Sequence, residues 1–152
     1  MSIAENIASL KNQIPSHIKI VAVSKTKPVE DIMEAYQAGQ RAFGENKVQE
    51  MIAKQPELPD DIQWHMVGHL QRNKVKYIAP YVSLIESIDS LKLMKEINKQ
   101  ASKHDRIIDC LLQFHIASEE SKFGLDLNEA IQILGSDDFA SLKSIRINGV
   151  MG

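Results

Sequence analysis

The sequence is poor in several features that mark particular classes of protein. Of its 152 residues only one, Cys110, is a cysteine, so an internal disulfide is impossible and a reducing compartment is expected. No apolar run approaches the roughly 20 residues that a membrane-spanning helix needs. The N-terminus also lacks the basic segment and apolar core of a signal peptide. We therefore expect a cytoplasmic protein in which Cys110 is a small core residue.

Charge and metal-ligand patterns are equally sparse. The net charge of −2 gives no long-range attraction to nucleic acid or to an anionic membrane, and the basic cluster at residues 72–76 is interpreted as a solvated helix face. No glycine-rich phosphate loop of the G-x-G-x-x-G or G-x-x-x-x-G-K-[ST] type follows the first predicted strand, which argues against a nucleotide site. His65 and His69 lie on or near a strand and lack a third ligand, so no metal site is predicted.

What the sequence does contain is a regular alternation of two periodicities. Short β-rich runs alternate with amphipathic helical patterns from one end of the chain to the other. Helices are predicted at 28–39, from Asp89 or Ser90 onward, and at 126–134, and Ser2 and Glu5 form a capping box for an N-terminal helix. The strands are predicted at 18–24, 41–44, 62–67, 82–88, 107–116 and 144–150.

Polar or reactive side chains follow each predicted strand. They include Lys25, Asn46, His69, Asp89 and Lys122. In a (β/α)8 barrel all such strand ends converge on one mouth, whereas an open doubly wound sheet has its site at one switch point. We therefore predict an α/β fold of the (β/α)8 TIM-barrel type. A complete barrel has about 250 residues, so about six of the eight units are expected here, in a single domain over residues 1–152 that is truncated at its C-terminus.

Lys25 stands out because it ends the first predicted strand. Alternation along the strand places it on the same face as Val21 and Val23. If these valines fill the barrel interior, the amine of Lys25 lies at the mouth and is partly buried. Partial burial disfavours the charged form of a lysine and frees its amine as a nucleophile. The alternative is an ordinary surface lysine whose ammonium group reaches water.

Five segments in order along the chain carry a family resemblance. They are Val21-Ala22-Val23-Ser24-Lys25-Thr26-Lys27-Pro28, Phe43-Gly44-Glu45-Asn46-Lys47-Val48-Gln49-Glu50, the run Trp64 to Lys74, Ser87-Ile88-Asp89-Ser90, and Glu119-Glu120-Ser121-Lys122-Phe123-Gly124. With these segments the sequence resembles the pyridoxal phosphate homeostasis proteins, which look like a free-standing alanine racemase barrel domain. Matches spread over the whole chain are a stronger signal than a single short motif.

The resemblance implies a pyridoxal 5'-phosphate site. By it, Lys25 holds the cofactor as a Schiff base, Asn46 lies beside the cofactor, and Lys122 is a second amine facing the site. His65 is a further candidate for cofactor binding; both His65 and His69 otherwise read as parts of the barrel wall. The segment expected beyond Gly152 supplies the loops that hold the cofactor phosphate. The implied role is to store, protect or deliver the cofactor, with apo-enzymes that depend on it as the recipients. The resemblance also implies a monomer.

Two other functions stay open at this point. A racemase or aldolase of the alanine racemase type needs two positioned acid/base groups. Lys25 can serve as one and Lys122 is the only plausible second, since no tyrosine is suitably placed, so catalysis is disfavoured. A third possibility is a scaffold that no longer binds the cofactor.

Overall fold

One parallel β-sheet organises the chain, for which a computed structural model describes residues 1–116 and 123–152. Its six strands stand side by side in sequence order, each parallel to the next. The strands are β1 (Ala22–Val23), β2 (Ala42–Glu45), β3 (Gln63–Met66), β4 (Leu84–Ile88), β5 (Ile108–Gln113) and β6 (Ile145–Met151). This order, with helices in the connections, confirms the predicted α/β alternation.

Local capping signals as well as apolar faces explain where several of the helices begin. They are α1 (Ile3–Gln13), α2 (Val29–Gln37), α3 (Val48–Lys54), α4 (Val75–Ile78), α5 (Leu91–Lys103), α6 (Leu127–Leu134) and α7 (Asp137–Ala140). Ser2 caps α1, Ser90 caps α5 through a 3.1 Å bond from the Leu93 N–H, and Asp126 caps α6. The predicted helices are thus confirmed, and α3, α4 and α7 were not predicted.

The two faces of the sheet have different surroundings. The strand register aligns Val23, Gly44, His65, Leu84, Asp109 and Arg146 in one row. This row lies on the inner face, the side turned away from the helices. The neighbouring residues on the outer face, among them Phe43, Trp64, Ile85 and Cys110, are buried in the core that the sheet shares with the helices. The core therefore lies between the sheet and its helical layer.

Cys110 belongs to this core, as predicted. It is fully buried, and burial, reinforced by the charge of Asp109, raises the pKa of its thiol to about 12. A thiol in this state is a poor nucleophile at neutral pH. Cys110 therefore acts as a packing residue.

The first strand is shorter than the sequence predicts. The prediction was 18–24, whereas β1 covers only Ala22–Val23. In the described part of the chain β1 pairs with β2 alone, so it forms one edge of the sheet, and residues before Ala22 have no regular ladder on either side. The other edge is β6, and the described residues form no pairing between these two edges.

Candidate functional site

Lys25 lies in the turn that follows β1, at the carboxyl end of the sheet. Its side chain is exposed, and it forms no hydrogen bond or ion pair with any residue in the two described ranges. The expectation of partial burial is therefore wrong. The physical reason is that β1 is an edge strand with an uncovered inner face, where even Val23 is 55 % exposed.

The backbone on both sides of Lys25 is held from the outer face of the sheet. The carbonyl oxygen of Ser24 accepts a 2.8 Å hydrogen bond from Nζ of Lys54, and the N–H of Thr26 donates a 2.9 Å bond to Oε2 of Glu50. Thr26 has a φ of +64°, a left-handed conformation that a side chain makes costly. The turn is thus fixed at two points while the Lys25 side chain itself stays free.

These contacts belong to one group of side chains, the lysine–carboxylate cluster (Ser24, Glu45, Glu50 and Lys54), in which all but the half-buried Glu50 are buried. Nζ of Lys54 lies 2.9 Å from Oε2 of Glu45 and 2.9 Å from Oε2 of Glu50. The hydroxyl of Ser24 also bonds to Oε2 of Glu45. All of these side chains come from the end of β1, the end of β2 and helix α3, so the cluster ties the three elements together.

The two carboxylates of the cluster have opposite pKa shifts. Glu45 is completely buried, and burial raises its pKa against the hydrogen bonds from Ser24 and Lys54. The Thr26 N–H, followed by Lys54, lowers the pKa of Glu50 to about 2. No pattern in the sequence was interpreted as this cluster. The available signal was the spacing of Glu50 and Lys54, which is typical of an ion pair on one helix face.

Asn46 follows β2 directly and lies at the same end of the sheet as Lys25, as predicted. Its position depends on Gly68, which follows β3. A Cβ atom on Gly68 would lie 2.2 Å from the backbone oxygen of Asn46 and 2.4 Å from its Oδ1. Only glycine permits so close an approach. Gly68 therefore allows the exposed carboxamide of Asn46 to sit against the end of β3.

The two histidines occupy different settings. His65 lies on the inner face of β3 and is 3 % exposed, with Nδ1 2.8 Å from Oε1 of Glu86 on β4. His69 lies at the rim, where its ring stacks on Phe123 at 3.8 Å between centroids and its Nδ1 is 3.6 Å from Oδ2 of Asp89. Burial raises the pKa of Asp89, while His69 acts in the opposite direction. His65 is thus a bonded part of the wall beneath the mouth.

Lys122, the predicted second amine, falls outside the described residues. Within the ranges that the structure does describe, no group of three histidine, cysteine, aspartate or glutamate side chains could hold a metal ion. In the same ranges no helix is long and apolar enough to cross a membrane. At the carboxyl end of the sheet the structure places the exposed amine of Lys25 and the exposed carboxamide of Asn46, and an exposed amine of this kind can act as a nucleophile towards a carbonyl group.

Comparison with known sequences gives one consistent family. The family model for the alanine racemase N-terminal domain matches residues 1–152. A pyridoxal phosphate homeostasis protein from Pasteurella multocida is 36 % identical over 99 % of this chain and 70 % of its own length. One from Schizosaccharomyces pombe is 38 % identical over 89 % of this chain and 57 % of its own length.

Comparison with solved structures agrees with the sequences. PipY of Synechococcus elongatus, with pyridoxal phosphate bound, has a TM-score of 0.90 and 38 % identity over 99 % of this chain and 69 % of its own. An alanine racemase of Clostridium difficile has a TM-score of 0.79 but only 15 % identity, over 98 % of this chain and 39 % of its own, and shows the fold alone. The six strands therefore correspond to part of an alanine-racemase-type barrel, as predicted.

Proposed function

The chain belongs to the family of the pyridoxal phosphate homeostasis proteins, and on this premise we propose that it binds pyridoxal 5'-phosphate through Lys25 and takes part in the intracellular homeostasis of that cofactor. The observation that carries the proposal is the free, exposed amine of Lys25 on an anchored turn at the carboxyl end of β1. The cofactor-bound PipY structure supports it, since that protein is 38 % identical to this chain.

The residues at the mouth suit this ligand. When bound, pyridoxal phosphate supplies an aldehyde that condenses with a primary amine, releasing one water molecule. Lys25 would provide that amine from its exposed position after β1. The carboxamide of Asn46 can donate to or accept from a polar ring substituent. His65 supports the wall below, with its Nδ1 engaged by Glu86.

The racemase or aldolase alternative has less support. The alanine racemase of Clostridium difficile shares only 15 % identity with this chain, whereas the homeostasis relatives from Pasteurella multocida and Vibrio alginolyticus share 36 % and 35 %. A racemase also needs a second acid/base group at the mouth. Lys122 stays the candidate for that role, and a variant at this position belongs in the tests below.

Trapping of the bound cofactor tests the proposal. The chain is incubated with pyridoxal phosphate, reduced with borohydride and digested, and the modified peptide is identified by mass spectrometry. We expect one adduct, on Lys25, which disappears in Lys25→Ala and persists in Lys27→Ala. Lys27 is the matched control because it is also exposed and lies two residues further along.

Two results would contradict the proposal. One is the absence of any adduct in the unmodified chain, and the other is labelling spread over many lysines without preference for Lys25. The same preparation is assayed for racemisation of L-alanine. Turnover that is lost in Lys122→Ala would favour the racemase over the homeostasis role.

The proposal extends to the setting in which the protein acts. We propose one barrel domain over residues 1–152, supported by the continuous six-stranded sheet. A cytoplasmic location is supported by the buried free thiol of Cys110. We also propose that the protein is a monomer and that it transfers the cofactor to apo-enzymes that depend on it. Light scattering tests the monomer, and reactivation of an apo-enzyme by the loaded chain tests transfer.

A further inference from the structure

We infer that Lys54, buried on the outer side of the sheet, is a positioning residue that sets where the Lys25 amine points and thereby controls capture of pyridoxal phosphate. The inference rests on the proposed function. It assigns a role to a second lysine that contacts the turn bearing Lys25 but does not itself reach the mouth.

The first step is the geometry of the turn. Lys54 binds the carbonyl oxygen of Ser24 directly, and it binds Glu50, which in turn accepts the N–H of Thr26. The two peptide units that flank Lys25 are therefore connected to one ammonium group. Because Thr26 holds a left-handed conformation, which persists only where its surroundings impose it, these bonds determine the direction of the backbone at Lys25.

The second step is that Lys54 cannot be a cofactor lysine. Its ammonium group has three N–H donors, and the three acceptors around it, on Ser24, Glu45 and Glu50, use all of them. The side chain is 9 % exposed, whereas Lys25 is exposed and has no bonding partner among the residues that the structure describes. The structure thus separates two lysines with different tasks, a free amine at the mouth and a saturated ammonium behind it.

The third step is what the loss of Lys54 does. Without its charge, two carboxylates remain next to each other, one of them fully buried. The two like charges then repel each other, so Glu50, whose side chain is the more exposed of the two, moves towards solvent. This movement withdraws the acceptor of the Thr26 N–H and releases the turn. Lys25 then keeps its amine but loses its fixed direction.

Three variants test the inference against the unmodified chain. Lys54→Met removes the charge, Lys54→Arg restores a cation, and Glu50→Ala releases Thr26 while leaving Lys54 paired with Glu45. Lys95→Met is the matched control, because Lys95 forms only an exposed ion pair with Asp138. The measurements are the dissociation constant for pyridoxal phosphate, the rate at which the borohydride-trapped adduct forms on Lys25, and acetylation of Lys25 by acetic anhydride without cofactor.

We expect adduct formation in Lys54→Met to be about tenfold to a hundredfold slower, the scale of a displacement of about 1 Å in a reacting group. Lys54→Arg should recover most of the rate, Glu50→Ala should fall between, and Lys95→Met should match the unmodified chain. Acetylation of Lys25 should be the same in all, because a small reagent needs only an exposed amine. This combination separates positioning from a general loss of structure.

Thermal unfolding shows whether each variant is folded at the temperature of the binding assay. If Lys54→Met is unfolded there, Glu50→Ala decides the question, since it keeps the buried pair. A folded Lys54→Met or Glu50→Ala that forms the Lys25 adduct at the normal rate overturns the inference. Absence of the adduct in the unmodified chain overturns the proposed function instead, so the two failures are distinguishable.

Discussion

The outer and inner faces of the sheet differ in how deeply their side chains are buried. On the outer face Phe43, Trp64 and Cys110 are almost completely inaccessible and pack against the helices. On the inner face Val23 is more than half exposed and Arg146 forms an exposed ion pair with Asp109. Apolar burial thus stabilises one side, while the other side keeps polar groups and open space.

The turn bearing Lys25 lies where the two faces meet. Its backbone anchors, Lys54 and Glu50, belong to the outer side, and its exposed amine belongs to the open mouth. Barrel folds separate stability from chemistry in this way, because the loops at the carboxyl end can vary over a fixed core. In this chain the lysine–carboxylate cluster connects the buried core to the turn that bears Lys25. Its hydrogen bonds are directional and can orient that turn, whereas apolar packing is not directional.

The largest expected effect is on the outer face. Trp64→Ala removes a side chain that is 2 % exposed and packs on Phe43 at 6.4 Å between ring centroids. We expect a loss of about 3–5 kcal/mol in the free energy of unfolding, from lost burial and the cavity left behind. Val23→Ala, on the exposed inner face, should change it by less than about 0.5 kcal/mol. Urea unfolding of both variants measures the difference.

Equal losses in these two variants would show that the inner face is as well packed as the outer one. Such a result would indicate that the inner face is covered in solution, for example by a second copy of the chain. Light scattering of the unmodified chain at the concentration of the unfolding experiment is the control.

The sequence predicts best those parts of the fold that depend on residues close together along the chain. The strands at 62–67 and 107–116 were predicted close to β3 and β5, because alternation of apolar residues is a local signal. The first strand was predicted too long, because β1 pairs with β2 only at Ala22 and Val23 and a local pattern does not show where pairing begins. Helix α3 was missed because its seven residues give too short an apolar pattern.

The candidate site could be predicted only in part, because only some of its features follow from local patterns in the sequence. The place of Lys25 and Asn46 at strand ends followed from the order of elements. Burial of Lys25 was predicted wrongly, because exposure depends on what covers the inner face. The bond from Lys54 to Ser24 joins residues 30 positions apart, so no local pattern indicates it.

The next largest effect is expected at the mouth. Gly68→Ala places a methyl group where the backbone oxygen of Asn46 now lies, 2.2 Å from the new carbon. Backbone shifts of this kind cost about 1–3 kcal/mol. Asn46 must also move, so affinity for pyridoxal phosphate should fall in the same variant. Gly149→Ala is the control, because its nearest neighbour would be a side-chain atom of Leu111 at 3.5 Å. If the affinity of Gly68→Ala for pyridoxal phosphate is unaltered, Asn46 does not contribute to the site.

A smaller effect, dependent on pH, is expected at the anchor of the turn. The pKa of Glu50 is about 2 in the folded chain, below its ordinary value of 4.5. A lowered folded pKa contributes stability above the unfolded value, and this is lost as the pH falls from about 4.5 towards 2. Glu50→Gln should therefore lower Tm by about 2–4 °C at pH 7, and the difference should close over that acid window. A gap that stays constant from pH 7 to pH 2 would contradict a charged Glu50.

The smallest effect should come from the ion pair on the inner face, and it tests whether that face is open to water. Arg146 lies 2.8 Å from Asp109, and this hydrogen bond raises the pKa of the guanidinium. Both groups face solvent, where water and salt weaken such a pair. Arg146→Met, which keeps an apolar stem, should change Tm by less than about 2 °C, and added salt should remove even that difference. A larger, salt-resistant loss would mean that the inner face excludes water after all. The mouth above it would then be far less open than the exposure of Val23 and Lys25 indicates.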